Sequence, residues 1–149
     1  MASKEKPKKV DKKKEKKIRI LAAGDIHGNS LLAGQLAKKA KEENVEIVIL
    51  TGDLTNAGRG IENLIGQFLK VGKKVLMLPG NHDPLELINA LPEIYKDTKN
   101  IHGYAVKHKN VGVFGAGSAD IGLFVLEDDK LFNVLEKGFK YVKDMQTVY

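Results

Sequence analysis

Short apolar runs alternate with amphipathic stretches through the N-terminal part of the chain. The runs lie at 18–23, 45–50 and 75–78, and the one at 45–50 is rich in β-branched residues. Each predicts a strand, and the run at 45–50 is typical of a strand that is covered on both faces. The stretches that follow carry apolar residues at helical spacing and begin at Ser30, Ile61 and Pro84. This order of strands and helices predicts an α/β fold with a parallel sheet and right-handed crossovers.

Further along the chain the pattern changes. Residues 103–108 and 111–114 are short strand candidates separated by a polar turn. The segment 119–126 is compatible with a further strand or with an irregular loop. Apolar residues over 131–145 then predict a final amphipathic helix.

Polar motifs follow each of the first three predicted strands. They are Gly24-Asp25-Ile26-His27-Gly28, Gly52-Asp53 and Gly80-Asn81-His82-Asp83, and 28 residues separate the first glycine of each from that of the next. That spacing suits one strand–helix–strand unit. Because ligands bind beyond the carboxyl ends of parallel strands, we expect the motifs to meet at one edge of the sheet. Their oxygen and imidazole groups suit manganese, iron, zinc or a related divalent ion more than calcium.

The spacing within the motifs indicates how two ions can be held. Asp25 and His27 are two residues apart and can chelate one ion from a tight loop. The two oxygens of Asp53 can bridge two cations, and Asn81 offers a neutral oxygen ligand. Two cations about 3.5–4 Å apart can bind a phosphate, supply a nucleophile and stabilise the leaving oxygen.

Each motif residue also has a purely structural interpretation. Asp53 can form a turn after its strand, while Asn81 and Asp83 can cap the helix predicted at Pro84. A lone histidine is more often a surface group than a ligand. Capping does not explain why acids and histidines gather at one edge of the sheet, so we favour metal binding.

Taken together and in this order, the motifs resemble those of the calcineurin-like metallophosphoesterases. The resemblance covers residues 18–149, which is all of the chain except its tail. It implies a hydrolase that uses a dinuclear metal site on phosphomonoesters or phosphodiesters. It also implies a sandwich of two sheets between helices, with αββα layers.

The resemblance assigns a role to each motif residue. Asp25 and His27 would hold the first ion, Asp53 would bridge, and Asn81 would hold the second ion. The remaining two residues are catalytic in this scheme. His82 would lie over the substrate phosphate, to stabilise it or to protonate the leaving group, and Asp83 would orient the His82 imidazole.

The chain departs from the family pattern in its C-terminal part. The family continues with a later histidine and a Gly-His-x-His motif, whereas this chain has four histidines in all and no such motif. We therefore expect the domain over 18–149 to be C-terminally incomplete. The alternative function is a catalytically impaired metal-binding half-domain that self-associates or needs a partner chain for the missing ligands. For His102 and His108 we expect structural or surface roles.

The net charge of +6 is concentrated in an N-terminal tail. Residues 1–17 hold nine lysines and three acidic residues, and the remainder of the chain is neutral. Such a tail is typically disordered. We expect at most weak, non-specific contact with nucleic acid through it, because no aromatic residue interleaves its lysines.

The absence of cysteine excludes disulfides, thiolate metal sites and cysteine nucleophiles, and it fits a cytoplasmic location. No apolar run approaches the roughly 20 residues of a membrane-spanning helix, so no membrane partner is expected.

Overall fold

Four parallel strands form the first sheet of the computed structural model, which describes residues 17–149. Their spatial order is β1-β2-β3-β4, and their bounds are β1 (Ile20–Ala23), β2 (Ile47–Leu50), β3 (Lys74–Met77) and β4 (Thr98–Asn100). The connecting helices are α1 (Ser30–Glu42), α2 (Ile65–Lys70) and α3 (Leu85–Ile94). The last residues of β1, β2 and β3 are register partners, so the three motifs start from the same level of the sheet.

A second, three-stranded sheet packs face to face with the first. It contains the antiparallel pair β5 (Ala105–His108) and β6 (Val111–Phe114), with β7 (Thr147–Val148) parallel to β6. Helix α4 (Asp128–Lys140) precedes β7. The turn between β5 and β6 places Lys109 at a φ of 54°.

Two apolar cores fill the spaces between the layers. The first lies between sheet one and helices α1 to α3, where the small Ala33 and Ala37 let α1 approach closely and Phe68 is fully buried. The second joins the two sheets and is built from Ile47, Leu76, Ile101, Val111 and Val113. Burial of these apolar side chains is what holds the sheets face to face.

Helix α4 covers the outer face of the second sheet. Its Gly138 lies where a Cβ atom would be 3.2 Å from the Phe114 side chain, and the rings of Phe114 and Phe139 are 5.7 Å apart. The layers are therefore helix, sheet, sheet, helix. The predicted α/β sandwich architecture is confirmed.

Several element bounds differ from those predicted. Strands β4 and β7 were not predicted, because neither carries an apolar run. The stretch from Ile61 forms turns before α2 begins at Ile65, and 119–126 is an irregular loop. Helix α4 ends at Lys140, so the apolar residues near Met145 pack from turns and not from a helix.

Within residues 17–149, none of the helices combines the length and apolar character that crossing a membrane requires. The lysine-rich tail expected over 1–17 lies outside the described residues, apart from Lys17.

Candidate metal centre

The loops after β1 and β2 are tied together by backbone hydrogen bonds beyond the strands themselves. Asp25 N donates to Gly52 O at 3.2 Å and His27 N donates to Asp53 O at 2.8 Å. Gly28 N then donates to the carbonyl of Leu54, also at 2.8 Å. The first two motifs therefore form one connected platform at the carboxyl edge of the sheet.

The backbone of this platform is held in an unfavourable conformation. Asp25, His27 and Asp53 have φ values of 52°, 48° and 49°, in the left-handed region that residues with a Cβ atom seldom adopt. Such residues cost free energy and cluster at functional sites, where surrounding contacts over-determine them. Here the shared hydrogen bonds supply those contacts.

Two glycines allow the ends of β2 and β3 to meet. A Cβ atom on Gly52 would lie 2.8 Å from the Cα atom of Gly80, and one on Gly80 would overlap the amide and carboxylate of Asp53. No other residue fits at either position without displacing the backbone. The glycines of the second and third motifs thus bring Asp53 against the third motif.

Asp25, His27 and Asp53 present a group of metal-ligating atoms. One ligand atom from each lies within 4.8 Å of the others. The side chains of Asp25 and His27 are 84% and 41% exposed, with Oδ1 and Nε2 3.9 Å apart. Among residues 17–149, this is the one such group of three or more His, Cys, Asp or Glu residues.

Asn81 faces the carboxylate of Asp53. Turned so that its amide nitrogen points inward, it donates to Oδ2 at 3.1 Å and to Oδ1 at 3.3 Å. Turned the other way, its oxygen meets only the acceptor oxygens of Asp53. A divalent cation between the two side chains would favour the second orientation, because cations attract converging oxygens.

The residues present therefore fit a metal ion. Two carboxylates, one imidazole and one amide oxygen converge at the edge of the sheet, and no thiolate is among them. This donor set suits divalent ions that accept mixed oxygen and nitrogen ligands.

His82 stands beside the ligand group with its backbone fixed at three points. Its N–H donates to Asp53 Oδ1 at 3.0 Å, and its carbonyl accepts from Thr55 Oγ1 at 2.8 Å and from Gly58 N at 3.0 Å. Its ring meets the His27 ring edge-on, with 4.8 Å between centroids. The fold thus places the His82 imidazole against the metal-ligating group.

Asp83 makes contacts different from those expected. Its buried carboxylate accepts from the backbone N–H groups of Leu54, Thr55 and Gly80 at 2.9 to 3.1 Å, and from the Thr55 hydroxyl at 2.8 Å. The expected bond to the His82 imidazole is not among the hydrogen bonds of residues 17–149. Asp83 is linked to the backbone of His82 through Thr55, whose hydroxyl bonds to both residues.

The capping alternative also fails for the third motif. The N-cap of α3 is Pro84, and no side chain in the described part of the chain bonds to the amides of its first turn. The carboxylate of Asp83 instead accepts hydrogen bonds from backbone N–H groups of the loop after β2.

Thr55 supports the candidate site, and the sequence analysis did not single it out. It is fully buried, and its hydroxyl links Asp83 to the carbonyl of His82 while accepting from Gly58 N at 3.0 Å. The available signal was a threonine two positions after the Gly-Asp motif. No local pattern distinguishes that threonine from an ordinary turn residue.

The two remaining histidines make structural contacts. His108 Nε2 lies 2.8 Å from Glu46 Oε2, and His102 Nδ1 accepts from Gly117 N at 3.0 Å. Neither belongs to the ligand group that the described residues form.

Comparisons with known proteins agree with this geometry. The model of the calcineurin-like phosphoesterase family matches residues 18–143. The chain is similar in structure to TT1561 of Thermus thermophilus, with a TM-score of 0.72, 15% identity, and coverage of 88% of this chain and 66% of that chain. A second crystal structure has a TM-score of 0.65, 15% identity, and coverage of 87% and 68%. A comparison with curated proteins found no match.

The two structural neighbours show the fold alone, because 15% identity is too low to carry a function. The chain spans about two thirds of the length of each. The family model, in contrast, matches almost the whole of the described chain and includes all three motifs. The chain belongs to the calcineurin-like phosphoesterase family.

Proposed function

We propose that this protein is a metal-dependent hydrolase of phosphomonoesters or phosphodiesters with a site for two divalent ions. One observation carries the proposal: ligand atoms of Asp25, His27 and Asp53 converge within 4.8 Å at the edge of the sheet. Family membership supports the same chemistry.

The roles of the ligands follow from their positions. Asp25, His27 and Asp53 would hold one ion, and Asp53 and Asn81 would hold the other. Oδ1 of Asp53 accepts from His82 N, while Oδ2 is the oxygen nearer to the Asn81 amide. When bound, divalent ions of this kind supply positive charge for the phosphate and a nucleophile at neutral pH.

The position of His82 supports a role for this residue in acting on the substrate. With its backbone fixed by Asp53 and Thr55, the imidazole beside His27 can contact the phosphate that the site attracts. An imidazole nitrogen of His82 would hold a proton and donate it to the leaving oxygen. Asp83 contributes by fixing the loop that carries Thr55, and so the position of His82.

Replacement of Asp53 tests the proposal. Protein supplied with Mn²⁺ should hydrolyse an aryl phosphate, and Asp53→Asn should lower the rate by at least about 100-fold, since loss of mere supporting residues already costs 10- to 100-fold. Asparagine tolerates the left-handed backbone and keeps an acceptor for His82 N, so the fold should survive.

Asp97→Asn is the matched control. Asp97 is also an aspartate with positive φ, at 65°, but it precedes β4 and so lies at the opposite edge of the sheet. The Asp97→Asn variant should retain wild-type turnover. Equal activity of wild type and Asp53→Asn, or no turnover with manganese, zinc or iron, would contradict the proposal.

A metal-binding domain with impaired turnover is the second candidate. It is favoured by the ligand count, because the second ion would have only Asp53 and Asn81 among the described residues. Pairing with a second chain would supply further ligands, and among the described strands β1 lies at an edge of the first sheet, where a further strand can pair. Mn²⁺ titration of the same samples separates the candidates: two tight ions per chain support the hydrolase, and one weak ion without turnover supports the second candidate.

A further inference from the structure

An irregular loop follows β6 and crosses the end of β3. It spans residues 115–126 and is called the 115–126 loop below. At its start, Gly117 lies so close to Pro79 that a Cβ atom would overlap the proline carbonyl oxygen. Its two arms are joined by Ser118, whose hydroxyl accepts from Leu126 N at 2.8 Å. The loop is therefore a closed structure seated on the third motif.

The middle of this loop touches the candidate metal ligand Asn81. Leu123 N donates to Asn81 O at 2.7 Å. A Cβ atom on Gly122 would lie 2.7 Å from the Cβ atom of Asn81. The backbone of the loop therefore packs directly against Asn81. Displacement of the loop would release the backbone of Asn81 from one side.

His102 binds the loop on both sides of that contact. The N–H of Gly117, on the first arm, donates to His102 Nδ1 at 3.0 Å. The ring of Phe124, on the second arm, meets the His102 ring edge-on, with centroids 5.1 Å apart and planes at 78°. His102 itself is anchored to the end of β4, since its N–H donates to Asn100 Oδ1 at 2.9 Å.

We propose that His102 is a positioning residue that holds the 115–126 loop against Asn81 and thereby sets the place of Asn81 in the metal centre. The part of this inference that concerns metal binding rests on the proposed function. The part that concerns the loop stands on the contacts of His102 alone.

The protonation state of His102 suits this role. Nδ1 must carry a lone pair to accept from Gly117, which requires the neutral ring with its proton on Nε2. Burial lowers the pKa of His102, and the nearby Lys137 ammonium on α4 lowers it further. Phe124, which faces the ring from the loop, is uncharged. The ring therefore stays neutral at neutral pH and keeps its acceptor.

Amide hydrogen exchange measures the loop directly. In His102→Ala, the exchange rate of amides in peptides covering 117–126, and of the Leu123 amide in particular, should rise about tenfold or more. The reason is that opening of the loop no longer has to break the contacts of His102 with Gly117 and Phe124. Phe124→Ala removes only the ring contact and should give a smaller rise. His102→Asn restores an acceptor near the Nδ1 position and should return part of the protection.

Mn²⁺ affinity distinguishes positioning from simple support of the fold. Loss of a residue that orients a ligand typically weakens metal binding by about 10-fold or more, and we expect His102→Ala to do so. His108→Ala is the matched control, since it removes another partly buried histidine, one that bonds to Glu46 and not to the loop. It should leave both loop exchange and Mn²⁺ affinity unchanged.

Each outcome decides a part of the inference. Unchanged loop exchange in folded His102→Ala and Phe124→Ala would overturn it, and so would faster loop exchange with unaltered Mn²⁺ affinity. If His102→Ala does not fold, Phe124→Ala carries the same comparison. Wild-type protein that binds no Mn²⁺ would contradict the proposed function instead, and exchange at Leu123 would still decide whether His102 holds the loop.

Discussion

Asp83 shows how one buried charge can organise several loops. Its carboxylate is fully buried and accepts from four donors on Leu54, Thr55 and Gly80. Burial of a carboxylate is costly unless such donors compensate it. The residue thus joins the second motif to the third and supports His82 without contacting its ring.

Replacing Asp83 by asparagine should destabilise the fold. One carboxylate oxygen becomes an NH₂ group that faces backbone donors, which leaves two of them unpaired. At about 1–3 kcal/mol for each of the two buried unpaired groups, we expect a loss of about 2–6 kcal/mol in the free energy of unfolding, measured by urea denaturation without metal. The exposed Asp97→Asn should stay within about 0.5 kcal/mol of wild type. An equal effect of the two substitutions would show that Asp83 does not hold the loops.

The close approach of the ends of β2 and β3 is an element-scale feature. It depends on Gly52 and Gly80, whose backbones meet where side chains would collide. The result is that Asp53, at the end of one strand, faces Asn81 and His82, at the end of the next.

Alanine at Gly80 should separate these strand ends. The added Cβ atom would overlap the amide of Asp53, so the backbone must shift, and overpacking of this kind costs about 1–3 kcal/mol. Mn²⁺ affinity should fall as well, because Asp53 moves. Gly34→Ala on α1 is the control, because the added Cβ atom would meet only the Gln67 side chain, at 3.9 Å. This substitution should stabilise the helix by about 0.5–1 kcal/mol. Thermal unfolding of both variants gives the comparison, and stabilisation by Gly80→Ala would refute the close packing.

At the scale of the whole molecule, two sheets are joined by an apolar core and by a charged cluster at its rim. Glu46, which precedes β2 in the first sheet, lies 2.8 Å from His108 Nε2 in the second. It also pairs with the Lys109 ammonium in the β5–β6 turn. The side-chain bond from Lys109 and then that from His108 lower the pKa of Glu46 below its ordinary value of 4.5.

The lowered pKa of Glu46 predicts a pH-dependent contribution to stability. Because the carboxylate is favoured in the folded state, its contribution is complete above pH 4.5 and is lost as the pH falls through the lower folded value. Urea unfolding of Glu46→Gln should therefore show lower stability than wild type at neutral pH, with the difference shrinking in acid. In a Lys109→Met background the difference at neutral pH should be smaller, because the largest cause of the lowered Glu46 pKa is removed. A difference that does not change with pH would contradict this assignment.

The alternation of apolar runs was sufficient to predict the α/β class and the strands β1, β2 and β3. Strand periodicity is a local property, and each of these strands carries its own apolar residues. Strand β4 was missed because Thr98–Asn100 has no such pattern and is recruited only by backbone pairing with β3. Helix α2 is shorter than its periodicity suggested, since residues near Ile61 pack as turns and not as helix.

The sequence by itself determined which polar side chains would gather at one edge of the sheet: the three motifs identified Asp25, His27, Asp53, Asn81 and His82, and the structure brings all five side chains together there. Their roles as ligands and catalyst stay predictions. Only the tertiary structure decided that Asp83 binds the loop after β2, that Thr55 joins it to His82, and that His102 contacts both arms of the 115–126 loop. The hydrogen bonds from Thr55 N to Asp83, from Thr55 Oγ1 to His82 O and from Gly117 N to His102 join residues 15 to 28 positions apart, and each has a backbone group as one partner. Backbone groups are the same in every residue, so no pattern of side chains along the chain reveals which of them will meet.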